Sequence, residues 1–282
     1  MPVSDAELAS FATSHDIISL GIAADEERRR RHGARTTFVR VADLDVTPGA
    51  PIIVPSAARE IRLVGTPASR TAAVLRTREV VAVGLAAPLS GFSLADLEEI
   101  ALRDRVPLRT LLEELQSEGL ELVAEAPFDR LRDPRRSVEE VNIAGLRLAR
   151  LTVHQLPSAD PLALYKQIAS LQYEVGVVQA FAPLPRKLNP AVPTTGYDDV
   201  KRIALARIYL DTVLSIQVDW SLYGPKLAQV ALTVGADDVD AVSAVDDMSE
   251  GRRRAPLEEV RRNIQAAGLQ PAERDGRFDL LG

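Results

Sequence analysis

The chain contains no cysteine. That excludes disulfides, thiol nucleophiles and iron–sulfur clusters of the ordinary kind, whose irons are bound by cysteine thiolate. Histidine is nearly as scarce, with only His15, His32 and His154. The first two fall in N-terminal helix patterns, so no three-histidine metal site is expected. No apolar run, Val80–Leu89 included, approaches the roughly 20 residues that cross a bilayer, and Met1–Asp5 lacks a basic-then-apolar leader pattern. A basic excess is missing too: the net charge is −6 and the pI about 5.3, so there is no positive field to attract nucleic acid. Gly-x-Ser-x-Gly elbows, His-Glu-x-x-His pairs and phosphate-cradling loops are all absent, which leaves nucleophilic and zinc hydrolases without support. The chain reads as cytoplasmic, with neither nucleic acid nor membrane as partner.

What is present is apolar substance enough for a core, with 282 residues, 46% hydrophobic and 26% charged. After two helical patterns, Ser4–His15 and Ile18–Arg31, short β-branched runs alternate with helical ones. The strands expected are Thr36–Leu44, Glu60–Val64, Glu79–Leu85, Leu120–Glu125, Arg150–Gln155, Val177–Ala182, Ser215–Trp220 and Asp240–Val245. The helices expected between them are Ala95–Ile100, opened by a capping box at Ser93–Asp96, then Leu108–Glu118, ended by Gly119, followed by Ser137–Ala149, Pro161–Val175, Asp198–Val213, Pro225–Val234 and Pro256–Ala267. This alternation predicts a parallel sheet with outer helices, and eight strands close such a sheet into a barrel. The first half is reduced. Asp45–Arg59 carries Pro48, Pro51 and Pro55, and Thr66–Arg78 is only just long enough for a crossover. Either the N-terminal helices or a partner chain is therefore expected over the first three strands.

From Tyr165 onward, five ordered blocks carry a resemblance. They are Leu171–Leu184 (LQYEVGVVQAFAPL), Ile203–Asp211 (IALARIYLD), Ile216–Trp220 with Gly224–Leu232 (IQVDW, GPKLAQVAL), Gly235–Asp240 (GADDVD) and Gly268–Asp275 (GLQPAERD). In these the chain resembles the futalosine-pathway radical S-adenosylmethionine enzymes of menaquinone biosynthesis, aminofutalosine synthase and the related cyclase, which share a subgroup with the deazaflavin-forming synthases. Weaker likeness covers Ser14–Gly33 and Glu60–Gly65. The resemblance implies a radical-enzyme barrel over 1–282 as one domain, with residues 1–35 as helices packing on the barrel and 36–282 forming it. It also implies a Cys-x3-Cys-x2-Cys loop after the first strand, which holds a 4Fe-4S cluster that in turn binds S-adenosylmethionine. Here that segment is Leu44–Pro51 (LDVTPGAP), shortened and without ligands, and the glycine-rich turn after the second strand is reduced to Gly65-Thr66-Pro67. The chain is therefore a degenerate member for which neither cluster nor S-adenosylmethionine is expected.

In a parallel barrel the site lies at the C-terminal ends of the strands. Asp45, Thr66, Glu125, His154, Gln155, Arg186, Trp220, Asp246 and Asp247 fall there. His154 titrates in the range suited to acid–base work, or is a satisfied structural histidine. Gln179, in an apolar strand, supplies an amide to a ligand or to the core. Asp219 and Trp220 offer a carboxylate beside an indole, a platform for an aromatic ring, or simply pack. Arg274 folds back to the barrel mouth to hold an anion, or joins a local ion-pair cluster with Glu273 and Asp275. Asp237, Asp238 and Asp240 read as turn chemistry entering the eighth strand rather than as metal ligands. The runs Arg28–Arg31 and Arg252–Arg254, balanced by nearby acids, read as solvated faces.

Three functions are compatible with these residues. One is a cluster-less relative that binds a menaquinone-pathway compound or partners an active enzyme of that pathway. Another is a repurposed enzyme of non-radical chemistry on a polar aromatic or nucleoside-like substrate. The third is a purely structural or regulatory partner. A small-molecule ligand and a homo- or hetero-oligomer are the partners expected.

Overall fold

The structure is a computed structural model and describes residues 5–155, 161–187, 195–246 and 255–281. Two helices, α1 (Asp5–Thr13) and α2 (Ile17–His32), precede β1 (Arg35–Asp45), which runs without a helix into β2 (Glu60–Val64). Then follow α3 (Arg70–Val81), β3 (Leu89–Ser93), α4 (Leu94–Arg103), α5 (Leu108–Ser117), β4 (Leu122–Pro127), α6 (Pro134–Ile143) and the short β5 (Arg147–Leu148). The chain continues through β6 (Leu151–Val153), α7 (Pro161–Val175), β7 (Ala180–Pro185), α8 (Gly196–Tyr209), β8 (Ser215–Asp219), α9 (Trp220–Thr233), β9 (Asp238–Ser243), α10 (Pro256–Ala266) and β10 (Gln270–Glu273).

The sheet order is β10-β1-β2-β3-β4-β6-β7-β8-β9, with β5 on β4, and β1 also pairs with β9. The eight main strands therefore close into a parallel barrel with outer helices, the α/β architecture expected. The closing seam is bonded at both ends of β1, where Thr37 N–H donates to the Asp237 carbonyl (2.9 Å) and Ala244 N–H to that of Val41 (2.9 Å).

Several boundaries differ from expectation. Glu79–Leu85 is not a strand. Its first residues end α3, which Ser69 caps by accepting the Ala72 N–H. The third strand is Leu89–Ser93 (LSGFS), a sequence without β-branched residues. A helix thus covers the β2–β3 link, and the reduction of the first half is confined to the proline-bearing link after β1. The expected capping box at Ser93 does not form, because the Asp96 carboxylate instead accepts from Thr66 Oγ1 (2.6 Å) and pairs with Arg130 (3.0 Å). α6 stops at Ile143, with Gly145 in the left-handed region, so Arg147–Leu148 is free to pair with β4.

The chain divides into two compact units, one of 1–38, 152–242 and 247–272, the other of 39–151, 243–246 and 273–282. In the first, α1 and α2 pack against α8. Arg207 of α8 is fully buried and binds the Gly235 carbonyl (2.8 Å) and the Asp237 carboxylate. Gly235 has φ 115°, and a Cβ there would lie 2.8 Å from that of Arg207, so only glycine fits. In the second unit, α3, α4 and α6 each pack against α5, burying Leu97, Ile100, Leu111, Leu112, Leu115, Val138 and Val141.

The second unit is completed by residues 273–281. Glu273 pairs with Arg40 (2.6 Å), Gly276 N–H donates to the Arg59 carbonyl (3.0 Å) and Arg277 pairs with Glu121 (2.7 Å). A Cβ on Gly276 would fall 2.9 Å from Glu60 Cγ and 3.1 Å from Pro88. Arg59 and Glu60, Pro88 and Glu121 mark the starts of β2, β3 and β4. This segment therefore lies under the N-terminal ends of those strands.

Candidate functional site

At the C-terminal ends of β6, β7 and β8, backbone bonds outlast the strands: Arg186 N–H donates to the Val153 carbonyl (2.8 Å) and Lys187 N–H to that of His154 (2.9 Å). Arg186 and His154 are thereby brought onto neighbouring chain segments. Arg186 forms an ion pair with Asp219, the last residue of β8. Asp219 is also the N-cap of α9, its Oδ1 accepting from Leu222 N–H (2.9 Å) and Ser221 Oγ (3.1 Å). Trp220 is the first, buried residue of α9. Tyr223 Oη donates to the Pro185 carbonyl (2.6 Å). Burial, reinforced by the charge of Asp199, holds its phenol well above the usual tyrosine range. The helix then kinks at Gly224 (φ 74°) before Pro225.

At the same ends of β1 to β3 the residues are differently engaged. Arg76 of α3, with no side-chain exposure, donates from Nε to the Asp45 carbonyl (2.8 Å) and from Nη1 to the Ala50 carbonyl (2.9 Å). Glu79, one turn on, accepts Gly49 N–H (2.9 Å) and pairs with Arg76 (3.1 Å). Asp45 Oδ1 closes the turn on Thr47 N–H (2.7 Å), and these hydrogen bonds hold its carboxyl below the usual range. The loop after β1 is thus tied back onto α3, leaving Asp43, Asp45 and Val64 exposed.

Other residues expected at the mouth lie elsewhere. Gln179 precedes β7, so it stands at the opposite end of that strand from Arg186, and its carbonyl accepts Ser215 N–H (3.2 Å). Arg274 does not fold back to the mouth. It is buried in the segment beneath β2 to β4, with Cζ 3.8 Å from the centre of the Phe278 ring and Nη1 on the Asp275 carbonyl (2.8 Å). Asp237 and Asp238 lie at the start of β9. Asp237 binds Arg207, Ser215 Oγ (2.8 Å) and Ile216 N–H (2.8 Å), while Asp238 accepts from Thr37 Oγ1 (2.5 Å) and Gln217 Nε2 (2.8 Å). Asp247 and Arg252–Arg254 lie outside the described residues. Of the residues singled out, His154, Arg186, Asp219 and Trp220 share the β6–β8 end, and sequence reasoning missed Tyr223 beside them and Arg76 at the β1 loop. A basic residue three before a glutamate on one helix, Arg76 and Glu79, was the available signal for the latter.

The resemblance implies a cluster and S-adenosylmethionine at the end of β1. Where the thiolate ligands would stand, the loop offers no soft donor, and a buried guanidinium holds its carbonyls. Among the described residues, no group of three or more histidines and carboxylates is arranged for a metal ion. Thr66, in the reduced glycine turn, is engaged by Asp96. The residues do not fit the cluster.

Residues 182–281 match the C-terminal region of the CofH/MqnC family. Over 223 residues the chain is 28% identical to aminodeoxyfutalosine synthase of Thermus thermophilus, covering 67% of this chain and 59% of that one. It is 23% identical over 212 residues to cyclic dehypoxanthine futalosine synthase of Streptomyces coelicolor, covering 66% and 53%. Over 127 residues it is 36% identical to 5-amino-6-(D-ribitylamino)uracil–L-tyrosine 4-hydroxyphenyl transferase of Archaeoglobus fulgidus, covering 40% and 37%. The chain thus spans less than two thirds of the length of these relatives. Among solved structures, methylornithine synthase superimposes with a TM-score of 0.69 at 12% identity over 96% of this chain and 95% of that one. The hydrogenase maturase HydG of Carboxydothermus hydrogenoformans gives 0.66 at 13%, over 96% and 76%. At these identities the superpositions establish the fold alone.

Proposed function

We propose that this chain, a relative of the futalosine-pathway radical S-adenosylmethionine enzymes, has kept their barrel without their radical chemistry. It serves menaquinone biosynthesis by binding a compound of the futalosine pathway at the β6–β8 mouth or by partnering an active enzyme of that pathway. The observation that carries this is the loop after β1. Reductive cleavage of the sulfonium requires an electron from a cluster, and at the cluster's place Arg76 and Glu79 hold a cysteine-free turn. The β6–β8 end, by contrast, keeps a basic group, a carboxylate and an indole on rigid supports, which is what positioning a small polar molecule requires. A repurposed enzyme has less to stand on, because the Tyr223 proton is donated to the Pro185 carbonyl and both Asp219 oxygens are bound.

Thermal unfolding with futalosine and with aminodeoxyfutalosine tests the binding arm. A ligand at a hundredfold excess over its Kd stabilises the fold by about 2.7 kcal/mol. Co-purification with a cysteine-bearing homologue tests the partner arm. Stabilisation by either compound, or a stoichiometric complex at micromolar concentration, is the expected result. Failure of both overturns the proposal.

A further inference from the structure

Ion pairs lace the outer helices of the second unit, and Arg132 is not among them. It is exposed, and its guanidinium has no hydrogen-bond or ion-pair partner among the described residues. It stands at the edge of a cavity of about 320 Å³ between α4, α5 and the start of α6. Ala101, Leu102, Val106, Pro107 and Leu108 form the apolar wall, and Leu102 is 56% exposed there. No strand residue lines this cavity, so it is not part of the β6–β8 mouth.

The walls are cross-linked. Arg109 of α5 pairs with Glu140 of α6 (2.5 Å), and Glu98 of α4 accepts from Ser137 Oγ and from Arg132 N–H (3.3 Å). The cavity is thereby formed before any ligand arrives, which lowers the cost of binding one. Its volume lies at the small end of the roughly 300–1,000 Å³ typical of ligand pockets, so it suits a body of a few carbons.

The acids and bases around it are differently placed. Glu98 and Glu140 are held by the cross-links, and Asp133, though exposed, gives Oδ1 to Arg136 N–H (3.1 Å) as the cap of α6. Glu140 is only 14% exposed, whereas Arg136 is 76% exposed and 3.9 Å from it. Arg105, beside Val106, is exposed and also lacks a partner among the described residues. The free charge at the edge is therefore that of guanidinium, whose planar fork matches carboxylate or phosphate. The first turn of α5, which opens here at Leu108, adds backbone N–H groups that no side chain caps.

We propose that this cavity binds a small amphipathic anion, its carboxylate or phosphate on the Arg132 guanidinium and its apolar body against Leu102, Val106 and Leu108. The site is additional to the mouth and independent of what binds there.

Titration of the full chain with hexanoate, hexyl phosphate, acetate and 1-hexanol, followed by the amide shifts of Val106, Leu108 and Ser137, tests it. At least one of the two six-carbon anions is expected to shift these amides saturably, with an affinity that falls as salt rises, and which one binds identifies the group. Acetate is expected to bind more weakly, by about fourfold for each CH₂ that hexanoate buries, and 1-hexanol more weakly for want of charge. Because Arg132 is exposed, Arg132→Gln should fold and weaken anion binding about tenfold or more. Arg132→Lys, which keeps the charge and loses the fork, should weaken it less.

Unchanged anion affinity in Arg132→Gln overturns the assignment of that residue. Binding of 1-hexanol as tight as that of both anions overturns the anionic class, and acetate matching hexanoate overturns the apolar wall. Absence of saturable shifts at these amides with any probe overturns the site, whatever the outcome at the β6–β8 mouth.

Discussion

His32 sits where two requirements conflict. Its Nε2 lies 3.1 Å from the Leu214 carbonyl and 3.5 Å from an Asp237 oxygen, a geometry that by itself favours the charged imidazolium. Burial prevails and holds its pKa below the ordinary 6.5, because the Asp237 carboxylate is already neutralised by the buried Arg207. In the unfolded chain His32 takes up a proton as pH falls through 6.5, whereas the folded chain resists until lower pH. The stability it contributes is therefore complete above 6.5 and declines as pH drops below it. Urea midpoints measured across that interval should fall less steeply for His32→Gln than for the wild type, and equal slopes would refute this. The acidic Gly-Ala-Asp-Asp turn was legible as structural from its pattern. That Asp237 anchors a buried arginine was not, since Arg207 stands 30 residues away and an arginine in a helix pattern reads as exposed.

Arg76 shows the same effect on the scale of a helix. The buried stripe of α3 is Ala73, Arg76, Thr77 and Val80, which has helical spacing but two polar members. Its apolar periodicity was therefore too weak to announce a helix, and the β-branched end Val80–Val81 passed for a strand. β3 was hidden for the complementary reason, since Leu-Ser-Gly-Phe-Ser carries no β-branched residue. Strands rich in valine and isoleucine, such as β2 and β8, stood out from sequence because their side chains suit a pleated surface. The work of α3 can be read out locally. Hydrogen bonds to charged groups contribute about 1.5–3 kcal/mol each, so Arg76→Gln should speed amide exchange of Val46, Thr47, Gly49 and Ala50 by about tenfold or more. Exchange at β8, in the other unit, should not change. Unaltered exchange in the loop would mean that Glu79 and the Asp45 turn suffice.

For the whole molecule the parallel barrel was foreseeable from alternation, although one of the eight strands expected, Glu79–Leu85, fell on the end of α3 and β3 took its place at Leu89–Ser93; the placement of Arg274 was not foreseeable. A charged Glu-Arg-Asp motif advertises ion pairs without saying at which end of the barrel they form. The absence of cysteine has a direct consequence at this scale: anaerobic incubation with iron, sulfide and reductant should yield no cluster absorbance and no cleavage of added S-adenosylmethionine. Either signal would require a ligand set outside the protein thiols and would overturn the cluster-less reading. The segment 273–281 adds a consequence in time. The starts of β2, β3 and β4 rest on residues synthesised after the whole of the other unit, through bonds from Gly276 and Arg277 to Arg59 and Glu121. While the chain is still emerging from the ribosome, the underside of its earliest strands lacks this seal.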